Sequence, residues 1–201
     1  MVTTAFRLSA YRLPAWKRGT DLVLGGLLLI LSSPLLMVCW AAVRFTSPGP
    51  ALHWSKRVGK DNRLFLMPKF RTMRVDTPQV ATHLLRQPGR YLTPIGAWLR
   101  KTSLDEMPQL VSVWKGDLSL VGPRPALFNQ HDLIALRTRY GVDRLVPGIT
   151  GWAQINGRDT LEIPRKVRYD AEYMAGQSPS LDLKIIMLTL WRVLKGEGVH
   201  H

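Results

Sequence analysis

Acidic residues are scarce. In 201 residues, 14 Asp and Glu face 28 Lys and Arg, for a formal charge of +14. That excess calls for an anionic partner: nucleic acid, phosphorylated substrates, or the face of an acidic membrane. Cysteine is nearly missing as well. Cys39 stands alone, which excludes an intramolecular disulfide and a multi-cysteine zinc site. The five histidines, two of them the terminal His200 and His201, form no H-E-x-x-H pattern. No internal repeat and no low-complexity tract interrupts the chain. Its 46% hydrophobic content is too high for a disordered polypeptide, and its length suits one catalytic-sized domain, or one domain plus an appendage, but not two full domains.

What the sequence does have is one long apolar run. Residues 22–43, LVLGGLLLILSSPLLMVCWAAV, carry no charge. A straight helix of that length covers ~33 Å, enough for a hydrocarbon core of ~30 Å. The run exceeds the ~7–15 apolar residues of a signal peptide and has no convincing small-residue cleavage site. Val38 before Cys39 argues against a lipoprotein, and a buried soluble helix rarely lacks a polar face altogether. Pro34 sits mid-run, where it cannot donate to the Ile30 carbonyl and bends the helix. Ser32 and Ser33 can bond the freed backbone groups. Both flanks are basic: Arg7, Arg12, Lys17 and Arg18 before the run, then Arg44, Lys56, Arg57, Lys60 and Arg63 after it. Basic flanks stay cytoplasmic. A helix that enters, turns at Ser33-Pro34 and leaves on the same face satisfies this at both ends. A bitopic helix satisfies it at one. The re-entrant hairpin is therefore the leading expectation, with the bitopic helix second.

Beyond residue 44 the pattern predicts short strands over 51–54 and 64–67 around a turn at 59–62. Helices are expected from Thr93-Pro94, through Leu110 and Trp114, over 126–140 with charges on the outer side, and over 181–194. The last is apolar enough to lie in the interface, with Trp191 as anchor. Helix should dominate and strands should be few.

Ser103-Leu104-Asp105-Glu106 carries the chemistry. As local structure it predicts a capping box, Ser103 as N-cap and Glu106 three residues on. Carboxylates in a first helical turn stay ionised, and an ionised carboxylate can attack phosphorus or bind Mg²⁺. Adjacent helical residues point ~100° apart, so the two acids cannot flank a sugar as a glycosidase pair does. They can take separate roles at one phosphate. Lys69, Arg71, Arg100, Lys101 and Arg124 cluster around them in sequence, and prolines on both sides of Arg124 stiffen its loop for bidentate phosphate contact. Acids among fixed cations suit phosphoryl transfer. The residues alone reach as far as a membrane-associated enzyme acting on a phosphorylated substrate.

Read in order, several blocks resemble the bacterial sugar transferases, the monotopic phosphoglycosyl transferases. They are the apolar run with Ser33-Pro34, RVGK at 57–60, KFRTM at 69–73, LRKTSLDEMPQL at 99–110, GDLSLVGPRP at 116–125, PGITGWAQINGR at 147–158, and a tail with Tyr173 and LDLKI at 181–185. The resemblance extends over about residues 16–198 and is to the minimal form of the family, without extra N-terminal membrane helices. It implies an α-rich α+β fold: a basic interfacial segment over 1–21, a re-entrant membrane helix over 22–43 broken at Ser33-Pro34, and a cytoplasmic-face catalytic domain with interfacial amphipathic helices over 44–201. It also implies transfer of a sugar-1-phosphate from a UDP-sugar to undecaprenyl phosphate at the bacterial inner membrane, with UMP released. By that likeness Asp105 is the nucleophile, forming a covalent phosphosugar intermediate. Glu106 positions metal or lipid phosphate, and Mg²⁺ lies at Asp105 and Glu106. Lys69, Arg71, Arg100 and Arg124 are the implied phosphate cradle. Gln154, Asn156 and Arg158 serve nucleotide, sugar or architecture.

Anionic inner-leaflet lipid is an implied partner, a homodimer is compatible, and nucleic acid is not expected. Departures from the family pattern, Ser55, Pro68, Met107 and Ser112, spare the acid pair and bear on substrate preference. An N-acetylated amino sugar is favoured over a hexose. Two other readings are a non-catalytic membrane scaffold for glycan assembly and a basic nucleic-acid-binding protein.

Overall fold

The computed structural model describes residues 14–78, 88–157 and 160–195. Arg7 and Arg12 of the basic N-terminal segment lie outside the described residues, as does Arg158. The apolar run forms α1, Ala15–Thr46, 32 residues long and helical throughout. It is thus longer than the expected 22–43, and its helical backbone is not interrupted at Ser33-Pro34, where two separate arms were expected. Local chemistry accounts for the continuity. Pro34 leaves the Ile30 carbonyl without its usual donor, and Ser33 Oγ donates to that carbonyl at 2.8 Å.

Both ends of α1 pack on the rest of the protein. Lys17, Asp21 and Gly25, spaced four apart, are buried near its start; Cys39 and Val43 are buried near its end. Between Gly25 and Cys39 no residue is buried, and Ile30, Leu31, Met37 and Val38 are each about two-thirds exposed. Polar contacts fix the first end. Lys17 pairs with Asp182 at 2.5 Å, Arg18 donates to the Val113 and Trp114 carbonyls at 2.7 Å, and Asp21 accepts from Ser119 Oγ and the Leu120 N–H. Gly25 lets the helix backbone come close, since a Cβ there would sit 3.1 Å from Val113 Cγ1.

After α1 come β1, Leu52–Val58, and β2, Leu64–Phe70, an antiparallel hairpin in register from Leu52 opposite Phe70 to Val58 opposite Leu64. Its turn uses left-handed Asp61 and Asn62, residue types that tolerate that conformation. Then follow α2, Gly96–Lys101; a 3₁₀ turn, Leu104–Gln109; α3, Leu110–Lys115; and β3, Ser119–Val121. The chain continues through α4, His131–Arg139, β4, Gly148–Thr150, and α5, Trp152–Ile155. It closes with α6, Ile163–Gly176, and α7, Pro179–Lys195. The fold is helix-rich, as expected. The parallel pair β3–β4, Ser119 opposite Gly148 and Val121 opposite Thr150, is an addition to the expected strands. One core joins Met67 of β2, Leu110 and Val113 of α3, Val121 of β3, Tyr173 of α6 and Ile185 of α7. A second joins Cys39 and Val43 of α1 to Phe70 and Leu99. The long helix is therefore part of the domain's core at both ends.

Candidate active site

The 3₁₀ turn carries the acid pair, and it is built differently from a capping box. Ser103 is left-handed (φ 57°) and its side chain caps nothing. The carboxylate of Glu106 does not turn back to the Ser103 N–H, which donates instead to the Arg100 carbonyl. The reason is electrostatic: Glu106 Oε1 accepts from Lys69 Nζ at 2.7 Å and Arg124 Nη2 at 2.8 Å, while Oε2 lies 3.4 Å from Arg124 Nη1. Two charge-assisted bonds outweigh one bond to a backbone amide. Burial works to raise the Glu106 pKa, but Arg124 and Lys69 together hold the carboxyl well below its ordinary value. Burial in turn pulls the Lys69 ammonium below its ordinary value, with Glu106 opposing.

Asp105 is the contrasting carboxylate. Among the described residues no side chain forms a hydrogen bond or ion pair with it. Burial and the adjacent Glu106 charge push it up to about 6, against the pull of Lys69, Arg100 and Arg124. The first-turn position thus does not keep it as acidic as expected: six residues of 3₁₀ helix supply less favourable field than burial removes. At pH 7 it is still mostly ionised. An ionised carboxylate with no hydrogen-bonding or ion-pairing side chain among the described residues, set among three cations, has the chemistry to attack an electrophile, and the cations have the charge to hold an anion.

Four elements hold this group. Lys69 projects from β2, Arg100 from the last turn of α2, the acids from the 3₁₀ turn and Arg124 from the loop after β3. Arg100 is steadied by its Nε bond to Thr72 Oγ1 at 2.9 Å. Lys69, Arg100 and Arg124 are thus brought to the acid pair as expected. Arg71 is directed elsewhere. Its guanidinium donates to the Pro50 carbonyl, at 2.6 Å, and to both oxygens of Ser47, closing the chain after α1. It follows Lys69 by two residues but lies just past the end of the strand, where alternation no longer sets its direction. Gln154 donates to the Ile149 carbonyl and Asn156 to the Trp152 carbonyl, so both brace the 147–157 loop. Ser33 and Pro34 lie at mid-α1, on its exposed stretch.

Two features escape a reading of the sequence. His53 stands directly opposite Lys69 in the hairpin register, so the two share a face. Burial, then the Lys69 and Arg57 charges, lower its pKa, and the imidazole is neutral at pH 7. Alternation along 52–58 is the signal that finds it once β2 is known. The other is Arg137 of α4, buried and paired with Asp170 of α6. Its helix was expected to turn its charges outward, and only the packing of α6 reveals the partner.

Comparison with known proteins identifies the family. Residues 12–196 match the family model described as bacterial sugar transferase. A UDP-glucose:undecaprenyl-phosphate glucose-1-phosphate transferase of Escherichia coli is 41% identical over 184 residues, covering 88% of this chain and 39% of that protein. An uncharacterized sugar transferase of Bacillus subtilis, EpsL, is 42% identical over 185 residues, covering 91% of this chain and 89% of that one. A UDP-N-acetylgalactosamine-undecaprenyl-phosphate N-acetylgalactosaminephosphotransferase of Aeromonas hydrophila is 34% identical, covering 90% of this chain and 44% of that protein. The chain thus spans about two-fifths of the length of the Escherichia coli relative and most of the Bacillus subtilis one. With the match running from just ahead of α1 to the end of α7, and the acid turn and its cations inside it, the chain belongs to the bacterial sugar transferase family.

Proposed function

We propose that the protein transfers a sugar-1-phosphate from a UDP-sugar to undecaprenyl phosphate through a covalent intermediate on Asp105. The observation that carries this reading is the inequality of the two acids: Glu106 is committed to Lys69 and Arg124, and Asp105 has no hydrogen-bond or ion-pair partner among the described residues. An oxygen of Asp105 attacks the sugar-bearing phosphorus. The bond from that phosphorus to the bridging oxygen breaks, and UMP leaves with the electron pair. A phosphate oxygen of the lipid then attacks the same phosphorus and expels Asp105, giving the polyprenyl diphosphate sugar. Neither step needs a general base, because both nucleophiles are already anions. Lys69, Arg100 and Arg124 bind the phosphates and stabilise charge as it builds on the equatorial oxygens.

The donor set suits a single Mg²⁺ at Asp105, because this cation is commonly held by one or two carboxylates plus substrate phosphates. Glu106, with its carboxylate taken by two cations, is the poorer ligand. When bound, the ion would neutralise diphosphate charge.

The reading extends to location. Exposed apolar residues over the middle of α1, with both ends held on one domain, favour a helix dipping into the bilayer and returning, ahead of one that crosses it. Leu183, Met187, Leu190 and Trp191 of α7 are half-exposed or more and suit the interface of the same leaflet. The basic flanks favour the cytoplasmic leaflet, which would supply anionic lipid. There a water-soluble nucleotide and a membrane lipid can reach one carboxylate. The glycan served is a surface glycan, of which this would be the first membrane step.

The test is UMP release from a panel of UDP-sugars carrying glucose, galactose, N-acetylglucosamine and N-acetylgalactosamine, with undecaprenyl phosphate present. One sugar should support turnover and yield a phosphosugar adduct on Asp105 by mass spectrometry when the lipid is omitted. Turnover by Asp105→Asn at the wild-type rate would overturn the nucleophile. Absence of turnover with every sugar would favour a scaffold role.

A further inference from the structure

Arg124 is held at both ends. Its guanidinium meets Glu106, and its backbone carbonyl accepts a 2.8 Å hydrogen bond from Arg137 Nη1. The remaining arms of Arg137 are occupied: Nε and Nη2 both donate to Asp170 Oδ2, at 3.0 and 2.7 Å. Arg137 is 7% exposed and Asp170 1%, so the pair lies in the interior between α4 and α6. A buried pair of this kind is a weak source of stability, because desolvation offsets most of the attraction and apolar residues of similar volume serve as well or better. Apolar residues cannot donate to the Arg124 carbonyl.

The loop chemistry explains why that carbonyl matters. Pro123 and Pro125 have no N–H, so the segment must be gripped largely by its acceptors. Four consecutive carbonyls are each held from outside. Pro123 accepts from the Gly148 N–H, Arg124 from Arg137, Pro125 from Arg57 Nη1 and Ala126 from the Val58 N–H. Of these grips, the one from Arg137 falls on the residue whose side chain touches Glu106. The prolines restrict the backbone on either side, and Arg137 fixes the peptide plane between them.

We propose that the Asp170–Arg137 pair is a positioning device for Arg124, setting the direction in which its guanidinium reaches Glu106 and the phosphate beside Asp105. This rests on the function proposed above and assigns a role to two residues that touch neither substrate. Arg137 acts through Arg124, and Asp170 acts through Arg137.

The experiment compares four proteins in detergent micelles or nanodiscs with the best UDP-sugar. Arg137→Met/Asp170→Leu removes both charges together. Arg137→Lys keeps a cation for Asp170 and lacks the planar arm that reaches the carbonyl. Val167→Ala, in the small core that α6 shares with Leu133 of α4, loosens the same helix pair without touching Arg124. The double variant should keep its unfolding midpoint within a few degrees while kcat falls on the order of ten- to a hundredfold. KM for the UDP-sugar should change little. Arg137→Lys should lose kcat in the same way, and it decides the matter if the double variant does not fold. Val167→Ala should lower the midpoint and keep kcat. Wild-type kcat in either Arg137 variant, or an equal loss of kcat in Val167→Ala, would overturn the proposal. Equal turnover by wild type and Asp105→Asn would instead remove the proposed function on which it rests.

Discussion

Replacing Asp105 by Asn should abolish transfer and at the same time stabilise the fold. Burial and the neighbouring Glu106 charge raise the Asp105 carboxyl to about 6, against an ordinary value of 3.8. The native state therefore binds this proton more tightly than the unfolded chain, and stability falls as pH rises between those values. The sign is that of a raised acid: its contribution is fully present below ~4 and lost above ~6. A shift of roughly two units corresponds to ~3 kcal/mol at most. Because Asp105 is partly exposed, solvent screening reduces that to ~1–2 kcal/mol. Asn keeps the shape and carries no charge. In metal-free buffer with chelator, the midpoint of Asp105→Asn should match wild type near pH 4 and rise above it through pH 6. Above pH 7 the gain should level off at ~2–8 °C. A difference independent of pH, or a variant less stable than wild type at pH 7.5, would refute the electrostatic account of the site.

Further expectations follow from the same geometry. At limiting Mg²⁺, kcat/KM for transfer should drop on acidification with an apparent pKa near 6, since the metal-free enzyme's nucleophile is then protonated; a flat profile between pH 5 and 8 under that condition would contradict this. Lys17→Met should cost ~3–5 kcal/mol by leaving Asp182 buried without its cation, and Lys17→Met/Asp182→Leu should recover most of it in a denaturation series. Arg124→Ala should lower kcat on the order of a hundredfold or more, with Glu106 left to Lys69 alone, as UMP release will measure. Pro34→Ala gives the Ile30 carbonyl back its backbone donor and favours a straight helix. Labelling of a cysteine placed near residue 10 should then shift toward the far side of the membrane, and unchanged labelling would remove Pro34 as the cause of the proposed re-entrant course.

The acid pair and three of its four expected cations are legible in the sequence because they sit in short, rigid segments. Lys69 lies on a strand, the acids follow a six-residue helix, and Arg124 stands between prolines, so local structure narrows their directions, and the contacts of Lys69 and Arg124 with Glu106 and of Arg137 with the Arg124 carbonyl complete them. Arg71 is illegible for the opposite reason: it lies one residue beyond β2, where a long side chain can turn either way, and the carbonyls after α1 claim it. The hairpin is legible from its turn residues, though longer than its apolar core suggests. By contrast β3 and β4 are three residues each, too short to show alternation, and pair in parallel with Ser119 opposite Gly148, far apart in the chain. In α6 the inward stripe of Val167, Asp170 and Tyr173 contains an acid, which breaks the apolar periodicity that marks a helix.

The sequence by itself determined the composition of the chemistry: a long uncharged run with basic flanks, an acid pair, and cations in excess. Those properties are local, and no folding can remove them. The tertiary structure decided which acid is paired and which is left to react, because Lys69 and Arg124 come from segments 37 and 18 residues from Glu106 and meet it only when β2 and the proline loop close over the 3₁₀ turn. It also decided that α1 joins the core at both ends, through Lys17, Asp21 and Gly25 at one and Cys39 and Val43 at the other. Charge and hydropathy are written residue by residue, whereas burial and pairing exist only between residues that folding brings together.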